Sequence, residues 1–268
     1  MICMPKHPYS AIENHQPGIV GCVIHYFEEV ESTQIIARNL AAEGAPHGTV
    51  VIAETQSAGR GRMGRGWHSP AGVNLYTTII LRPRIAMADV PRLSLVAGVA
   101  AAEALEDVAP GIVQLKWPND LLLNGRKAGG IIAEAVTDRA QRLDAVLLGI
   151  GLNLNLARED VPEELRERAI SVFIATGHQC DRVAVANTLF TRLNTRYDET
   201  VTRGFAEVRP HWERYSALTG KRVTVVDAGS REEGIVKGID ADGALLLETS
   251  SGIRRIIAGD VTLEGAYV

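Results

Sequence analysis

The dipeptide Asn124-Gly125 stands between the apolar runs "DLLL" and "KAGGIIAEAV". Asn-Gly in that setting is the strongest short-range signal for a two-residue β-hairpin, because both residues tolerate the positive φ that a type I′ turn requires. At least one pair of strands in this chain is therefore expected to run antiparallel. Other strand-like runs, "GIVGCVIHYFEEV", "GTVVIAET", "GVNLYTTIILRP" and "AVLLGIGLNLN", are separated by helical patterns. One of these, "ESTQIIARNLAAEGA", has Ser32 or Thr33 as its cap and Gly44 as its stop. A second runs from Pro91 to about Val108, and a third from about Arg182 to Arg203, where Val185, Leu189, Leu193, Tyr197 and Val201 recur every four residues. The fold class is α+β, with a mixed β-sheet flanked by helices. After "HWERYSALTG" the texture changes to short strands broken by turns at "DAGS", "DADG" and "SSG", which predicts a small C-terminal β-barrel. The expected organisation is an N-terminal extension over residues 1–17, a larger α+β domain over 18–215 and the barrel over 216–268.

The chain of 268 residues, with 46% hydrophobic residues, is long enough for a sizeable core. It contains no apolar run near the roughly 18 residues that a membrane span needs, and Pro5 and Pro8 interrupt any signal-peptide pattern. A cytoplasmic location without membrane association is expected. Cys3, Cys22 and Cys180 are odd in number and far apart, as suits reduced thiols. The net charge of -4 argues against a general nucleic-acid binder, so an anionic ligand must be met locally.

Such a local site is present in "ETQSAGRGRMGRGWHSPAG". From Thr55 to Ala88 there are five arginines and no Asp or Glu. Arginine forks suit carboxylate and phosphate oxygens, and glycines let the backbone wrap a ligand. Self-repulsion predicts a loop that is mobile when empty and orders around an anion. "GRGRMG" has the spacing of a dinucleotide fingerprint, but Pro70, Gly72 and a β-rich run follow it rather than a helix. The companion motifs of a protein kinase are absent, as is a Walker A motif. A second constellation, "KWPND", sets the cation of Lys116, the rigid Trp117-Pro118 and the oxygen-bearing Asn119 and Asp120 in one short span. With the arginine loop, it suits a nucleoside triphosphate and its magnesium ion. In "GIGLNLN", Gly149 and Gly151 permit close backbone approach and Asn153 offers a polar group.

Taken in order, "ESTQ", "QSAGRGRMGRGW", "NLY", "KWPNDLLLNGRKAGGIIAE", "GIGLNLN" and the C-terminal "GALLLE" make the chain resemble the biotin protein ligases, over nearly all of Tyr26 to Glu264. The resemblance implies a two-step reaction. Biotin and MgATP give biotinyl-5′-AMP and pyrophosphate, and a lysine of a biotin carboxyl carrier domain then takes the biotinyl group as an amide. It implies that Ser32, Thr33 and Gln56 meet the ureido head of biotin, that Gly130, Gly149 and Gly151 line its slot, and that Gln34 and Trp67 are among the biotin-binding residues. Arg60, Gly61 and Arg62 would meet the ureido or carboxylate end, with Lys116 between biotin and the α-phosphate. Arg62, Arg65, Lys116, Asn119 and Asn153 would serve ATP, Arg62 and Lys116 the chemistry, and Asp120 the Mg2+. Some family members carry an N-terminal winged helix that binds DNA; only about twenty residues precede the first strand here, so no operator binding is expected, and a homodimer is left open. Two other readings are a lipoate ligase or transferase of the same fold, and a sensor that binds biotin or nucleotide without catalysis.

Overall fold

The computed structural model describes residues 7–16, 18–227 and 229–263. Seven strands form the main sheet: β1 (Val23–Val30), β2 (Thr49–Gln56), β3 (Leu75–Leu81), β4 (Val113–Lys116), β5 (Asp120–Leu123), β6 (Arg126–Thr137) and β7 (Leu143–Leu152). Their order is β1-β2-β3-β7-β6-β5-β4, with β1 and β2 parallel and every other pair antiparallel. The sheet is thus mixed, as expected. Asn124 and Gly125 turn β5 into β6 with φ of 50° and 77°, the left-handed geometry that their side chains allow.

Helix α1 (Thr33–Ala42) starts at Ser32, whose hydroxyl accepts from the Gln34 N–H at 3.3 Å. Its Ala37 and Ala41 pack on Val51, Ile80, Ala145 and Leu147, covering one face of the sheet. The opposite face carries α2 (Arg92–Glu106), α4 (Arg182–Arg203) and α5 (Arg209–Tyr215), while α3 (Val172–Thr176) follows the sheet. Neither α3 nor α5 was expected from the sequence, since both are too short for periodicity to reveal. The apolar stripe of α4 buries Val185, Leu189 and Leu193 but runs out before its end, for Val201 is 45% exposed where the helix passes the edge of the core.

The C-terminal strands β8 (Arg222–Asp227), β9 (Ser230–Ile239), β10 (Leu245–Thr249), β11 (Gly252–Ile256) and β12 (Asp260–Leu263) form one antiparallel sheet in the order β11-β10-β9-β8-β12. The expected barrel is therefore corrected to an open sheet among the described residues: β11 and β12 lie at its two ends and do not pair. Its Val223, Val225, Val236, Leu245 and Leu247 belong to the same contiguous core as α2 and α5.

The N-terminal extension, whose mixed sequence predicts a loose segment, is held against the core. Pro8–Ile12 makes a short 3-10 helix that buries Tyr9 to 1% exposure, and the Glu13 carboxylate accepts from the Ile24 N–H at 2.9 Å. Burial of its aromatic ring outweighs the irregular composition. The rest of the expected extension, residues 1–6 and 17, lies outside the described residues, as do Cys3 and residues 264–268. Cys22 and Cys180 are free thiols. No described helix is long and apolar enough to cross a membrane.

Candidate functional site

Strand register builds the site. Tyr76 on β3 pairs with Gly151 on β7, Gly151 with Gly130 on β6, Gly130 with Asp120 on β5, and Asp120 with Lys116 on β4. Directly paired residues share a sheet face, so these five form one row across five strands. The indole of Trp67 lies over the middle of that row. A Cβ at Gly151 would fall 2.8 Å from Trp67 ring atoms, and one at Gly130 would fall 3.2 Å away. Both positions need glycine because the ring occupies the space a side chain would take. Lys127 stacks its ammonium over the same ring, 5.5 Å from the centroid, and pairs with Asp120 at 2.5 Å.

Above the row is a cavity of about 820 Å³, and every residue singled out from the sequence borders it: the α1 start with Gln56, the arginine loop, the "KWPND" turn, the three glycines and Asn153. At the α1 end, Gln56 is fully engaged. Its carbonyl oxygen accepts from the Thr33 N–H at 2.9 Å and the Thr33 hydroxyl at 3.1 Å, and its amide donates to the Ser69 hydroxyl at 3.0 Å. Gln34 contrasts with it. Both polar atoms of its carboxamide are buried without a partner, and a Cβ at Gly149 would lie 3.1 Å from its nitrogen. A buried unpaired amide is costly, which marks this end as shaped for a polar ligand.

The arginine loop is a tight hairpin: Gly61 N–H donates to the Arg65 carbonyl at 2.7 Å, Trp67 N–H to the Gly59 carbonyl at 2.9 Å, and Met63 turns it at φ 56°. The self-repulsion expected of it is offset from afar. Asp260, on β12, pairs with Arg65 and stands 3.8 Å from Arg62, while Arg60 lies 3.6 Å from Glu31. Arg62 also donates to the Asn119 side-chain oxygen at 3.0 Å, bridging the loop to the "KWPND" turn. Asn119 in turn donates to the Ile131 carbonyl at 2.8 Å.

Lys116 is half-buried, and among the described residues its ammonium has no hydrogen bond or ion pair. Burial lowers its pKa from the ordinary lysine value; Asp120 opposes that shift, and Lys127 and Arg65 add to it. Burial likewise lowers that of Arg62. The cavity thus ends in a half-buried cation with no ion pair of its own, an arrangement that gains from an incoming anion. Asn153 is more committed than the sequence implied, since its amide donates to the Ile170 carbonyl at 3.1 Å. No group of three or more His, Cys, Asp or Glu suited to a metal occurs among the described residues, and Asp120 is already held by Lys127.

Three contributors escaped sequence reasoning. Lys127 follows the hairpin turn that was recognised, yet only the register reveals that it faces Trp67. Ser69 locks Gln56, and Asp260 offsets part of the loop's charge by pairing with Arg65 from 195 residues away. No local signal marks either one.

Residues 26–153 match the biotin/lipoate A/B protein ligase family, and residues 218–263 match the biotin protein ligase C terminal domain. The bifunctional ligase/repressor BirA of Bacillus subtilis is 38% identical over 245 residues, which cover 91% of this chain and 75% of that protein. The biotin–acetyl-CoA-carboxylase ligase of Paracoccus denitrificans is 36% identical over 241 residues, covering 88% of this chain and 98% of its own. Among solved structures, the biotin protein ligase from Aquifex aeolicus in complex with biotin and ATP superposes with a TM-score of 0.79 at 30% identity, covering 90% of this chain and 98% of that one. With relatives of this kind 36–38% identical over 88–91% of the chain and the same fold in a solved ligase, this protein belongs to the biotin protein ligases of the biotin/lipoate ligase family.

Proposed function

We propose that this chain activates biotin with MgATP to biotinyl-5′-AMP and transfers the biotinyl group to a lysine of a carboxyl carrier domain. The observation that carries the reading is a single cavity with an unpaired carboxamide, Gln34, at one end and an unpaired cation, Lys116, at the other. A ureido ring is both donor and acceptor and matches a carboxamide of the same dual character. A carboxylate meeting a triphosphate brings two anions together, and that encounter needs preorganised positive charge.

In the first step a biotin carboxylate oxygen bonds to the α-phosphorus and the bond to pyrophosphate breaks. Lys116, Arg62 and Arg65 stabilise the charge on both partners. In the second, the carrier amine attacks the acyl carbon, loses a proton and expels AMP, with Lys116 again beside the developing charge. Trp67 covers the slot floor formed by Gly130 and Gly151, while Ser32, Thr33 and Gln56 hold the shape of the polar end. Leu156, Val161 and Leu165 also border the cavity and would offer a nucleotide base an apolar surface. Asp120 contributes one carboxylate oxygen at most to a cation that arrives on ATP, since magnesium sites of this kind draw most ligands from phosphate and water. Free thiols accord with a cytoplasmic setting.

The test is biotin-dependent exchange of labelled pyrophosphate into ATP without a carrier. Exchange with biotin and not with lipoate is the expected result. Exchange with lipoate alone would make the chain a lipoate ligase, and binding of both ligands without any exchange would make it a sensor.

Arg62→Gly is expected to loosen the intermediate more than it slows its formation. It removes the charge-assisted bond to Asn119 that joins loop to turn, and such bonds contribute about 1.5–3 kcal/mol. Biotinyl-AMP should then escape roughly ten- to a hundred-fold faster and label bystander lysines. Retention equal to the unmodified protein, measured by trapping released adenylate, would remove Arg62 from this role.

A further inference from the structure

Lys116 is the last residue of β4, and each of its neighbours is held by the C-terminal part of the chain. The Leu115 carbonyl accepts from the Ala217 N–H at 2.8 Å, where Leu115 and Ser216 form an isolated parallel bridge. The Trp117 side chain is 3% exposed, and its indole N–H donates to the Gly243 carbonyl at 3.0 Å. Gly243 sits in the turn between β9 and β10, and that turn is itself over-determined. The Asp240 carboxylate accepts from the Asp242 and Ala244 N–H groups at 2.8 and 3.0 Å, and the Gly243 N–H donates to the Asp240 carbonyl at 3.1 Å. Arg92 on α2 donates to the Asp242 carbonyl at 3.0 Å and pairs with its carboxylate at 2.9 Å. The acceptor for Trp117 is therefore fixed from both the C-terminal sheet and α2. On the other side of the turn, Asn119 exchanges hydrogen bonds with Ile131 of β6, so the direct backbone and indole contacts from the C-terminal segment fall on the residues either side of Lys116, which also pairs with Asp120 of β5.

We infer that Trp117 is a positioning residue: its bond to Gly243, together with the Ala217–Leu115 bond, makes the C-terminal segment set the place of the Lys116 ammonium. This rests on the role of Lys116 proposed above. Lys116 gains no partner of its own in the cavity, so the backbone on either side of it is what determines where its charge points. Misplacement of a catalytic group by about 1 Å is enough to cost up to a hundred-fold in rate. The polar end of the cavity, built by α1, β2 and β7, has no share in these contacts, so substrate affinity at that end should be spared.

Trp117→Phe removes the donor and keeps an aromatic ring. Gly243→Ala strains the turn that carries the acceptor: its Cβ would sit at a φ of +81° and fall 2.6 Å from Leu95 Cδ1. Replacing the Trp117 indole by its sulfur isostere, as benzothienylalanine, deletes the N–H with the shape retained, and serves where either substitution lowers folding yield. Pyrophosphate exchange by the full chain should show kcat reduced about ten-fold or more in each folded variant, with KM for biotin within about two-fold of the parent. A parent-like kcat in the isostere variant, or a raised KM at unchanged kcat, would overturn the positioning role. A merely structural contribution would lower the melting temperature and leave kcat alone. If the parent itself fails to exchange pyrophosphate with biotin, it is the ligase reading that falls, a result told apart from any variant effect.

Discussion

Lys116→Ala is expected to lower biotin-dependent pyrophosphate exchange by roughly a hundred- to a thousand-fold, the scale seen when one preorganised charge-stabilising group is removed from a dry site. The loss should fall on kcat. Gln34, Gln56 and Thr33 remain in place at the α1 end, so KM for biotin should change little. The second half-reaction, measured with supplied biotinyl-AMP and carrier domain, should fall by a similar factor, because the same ammonium faces developing charge in both steps. Near-normal adenylation would take Lys116 off the catalytic residues. The pH profile gives a second check. Burial depresses the Lys116 pKa below 10.5, with Asp120 opposing and Lys127 and Arg65 reinforcing. Its charge is therefore lost as pH rises through that lowered value, and kcat/KM, which reports the free enzyme, should decline on the alkaline side before pH 10.5. Lys116→Arg stays charged throughout that range. Its rate should be lower, for the fork does not fit a point-charge site, but its alkaline decline should disappear. Persistence of the decline in that variant would assign it to another group.

The largest stability effect is expected at Arg182→Ala. Arg182 opens α4, directly after its capping Asp181, and its guanidinium donates to Glu54 at 2.9 Å and to the Asn74 carbonyl at 3.1 Å. The Glu54 side chain is only 8% exposed and its other oxygen has no partner. Removing Arg182 leaves a buried carboxylate uncompensated, which costs about 3–5 kcal/mol and should lower the melting temperature by roughly 10 °C. Glu54→Gln in the same background should restore most of the loss by deleting the stranded charge. A shift of only a degree or two would show that water already screens the pair. Glu54 and Asn74 flank the whole loop from Ser57 to Val73, so the parent pair also closes the base of the arginine hairpin.

Elements whose cause is local were legible in the chain. Asn124-Gly125 produced its turn because the required φ values are a property of those residues. Ser32 capped α1 because its hydroxyl reaches its own helix start, and α4 ran from Arg182 to Arg203 as its four-residue spacing implied. Where burial or pairing decides, local pattern fell short. Tyr9 drew a segment of irregular composition into the core, Val201 pointed away from it, and the C-terminal strands paired as an open sheet because closure depends on how distant edges meet. The site divides in the same way. Two motifs suggested their chemistry through residue types, arginine forks among glycines and a lysine beside a rigid turn, whereas the Gln34 carboxamide came only with the resemblance.

By itself, then, the sequence determined the strands and helices with strong periodicity and a local cationic segment, because propensity, capping and charge are carried by each residue and its near neighbours, while the reaction class came from the resemblance that its ordered motifs carry. Tertiary structure alone decided that Tyr76, Gly151, Gly130, Asp120 and Lys116 form one row, that Trp67 lies on its glycines, and that Asp260 pairs with the arginine hairpin at Arg65. Those relations depend on strand register and on contacts up to 195 residues apart. Short-range preference carries no information about them; packing of the whole core does.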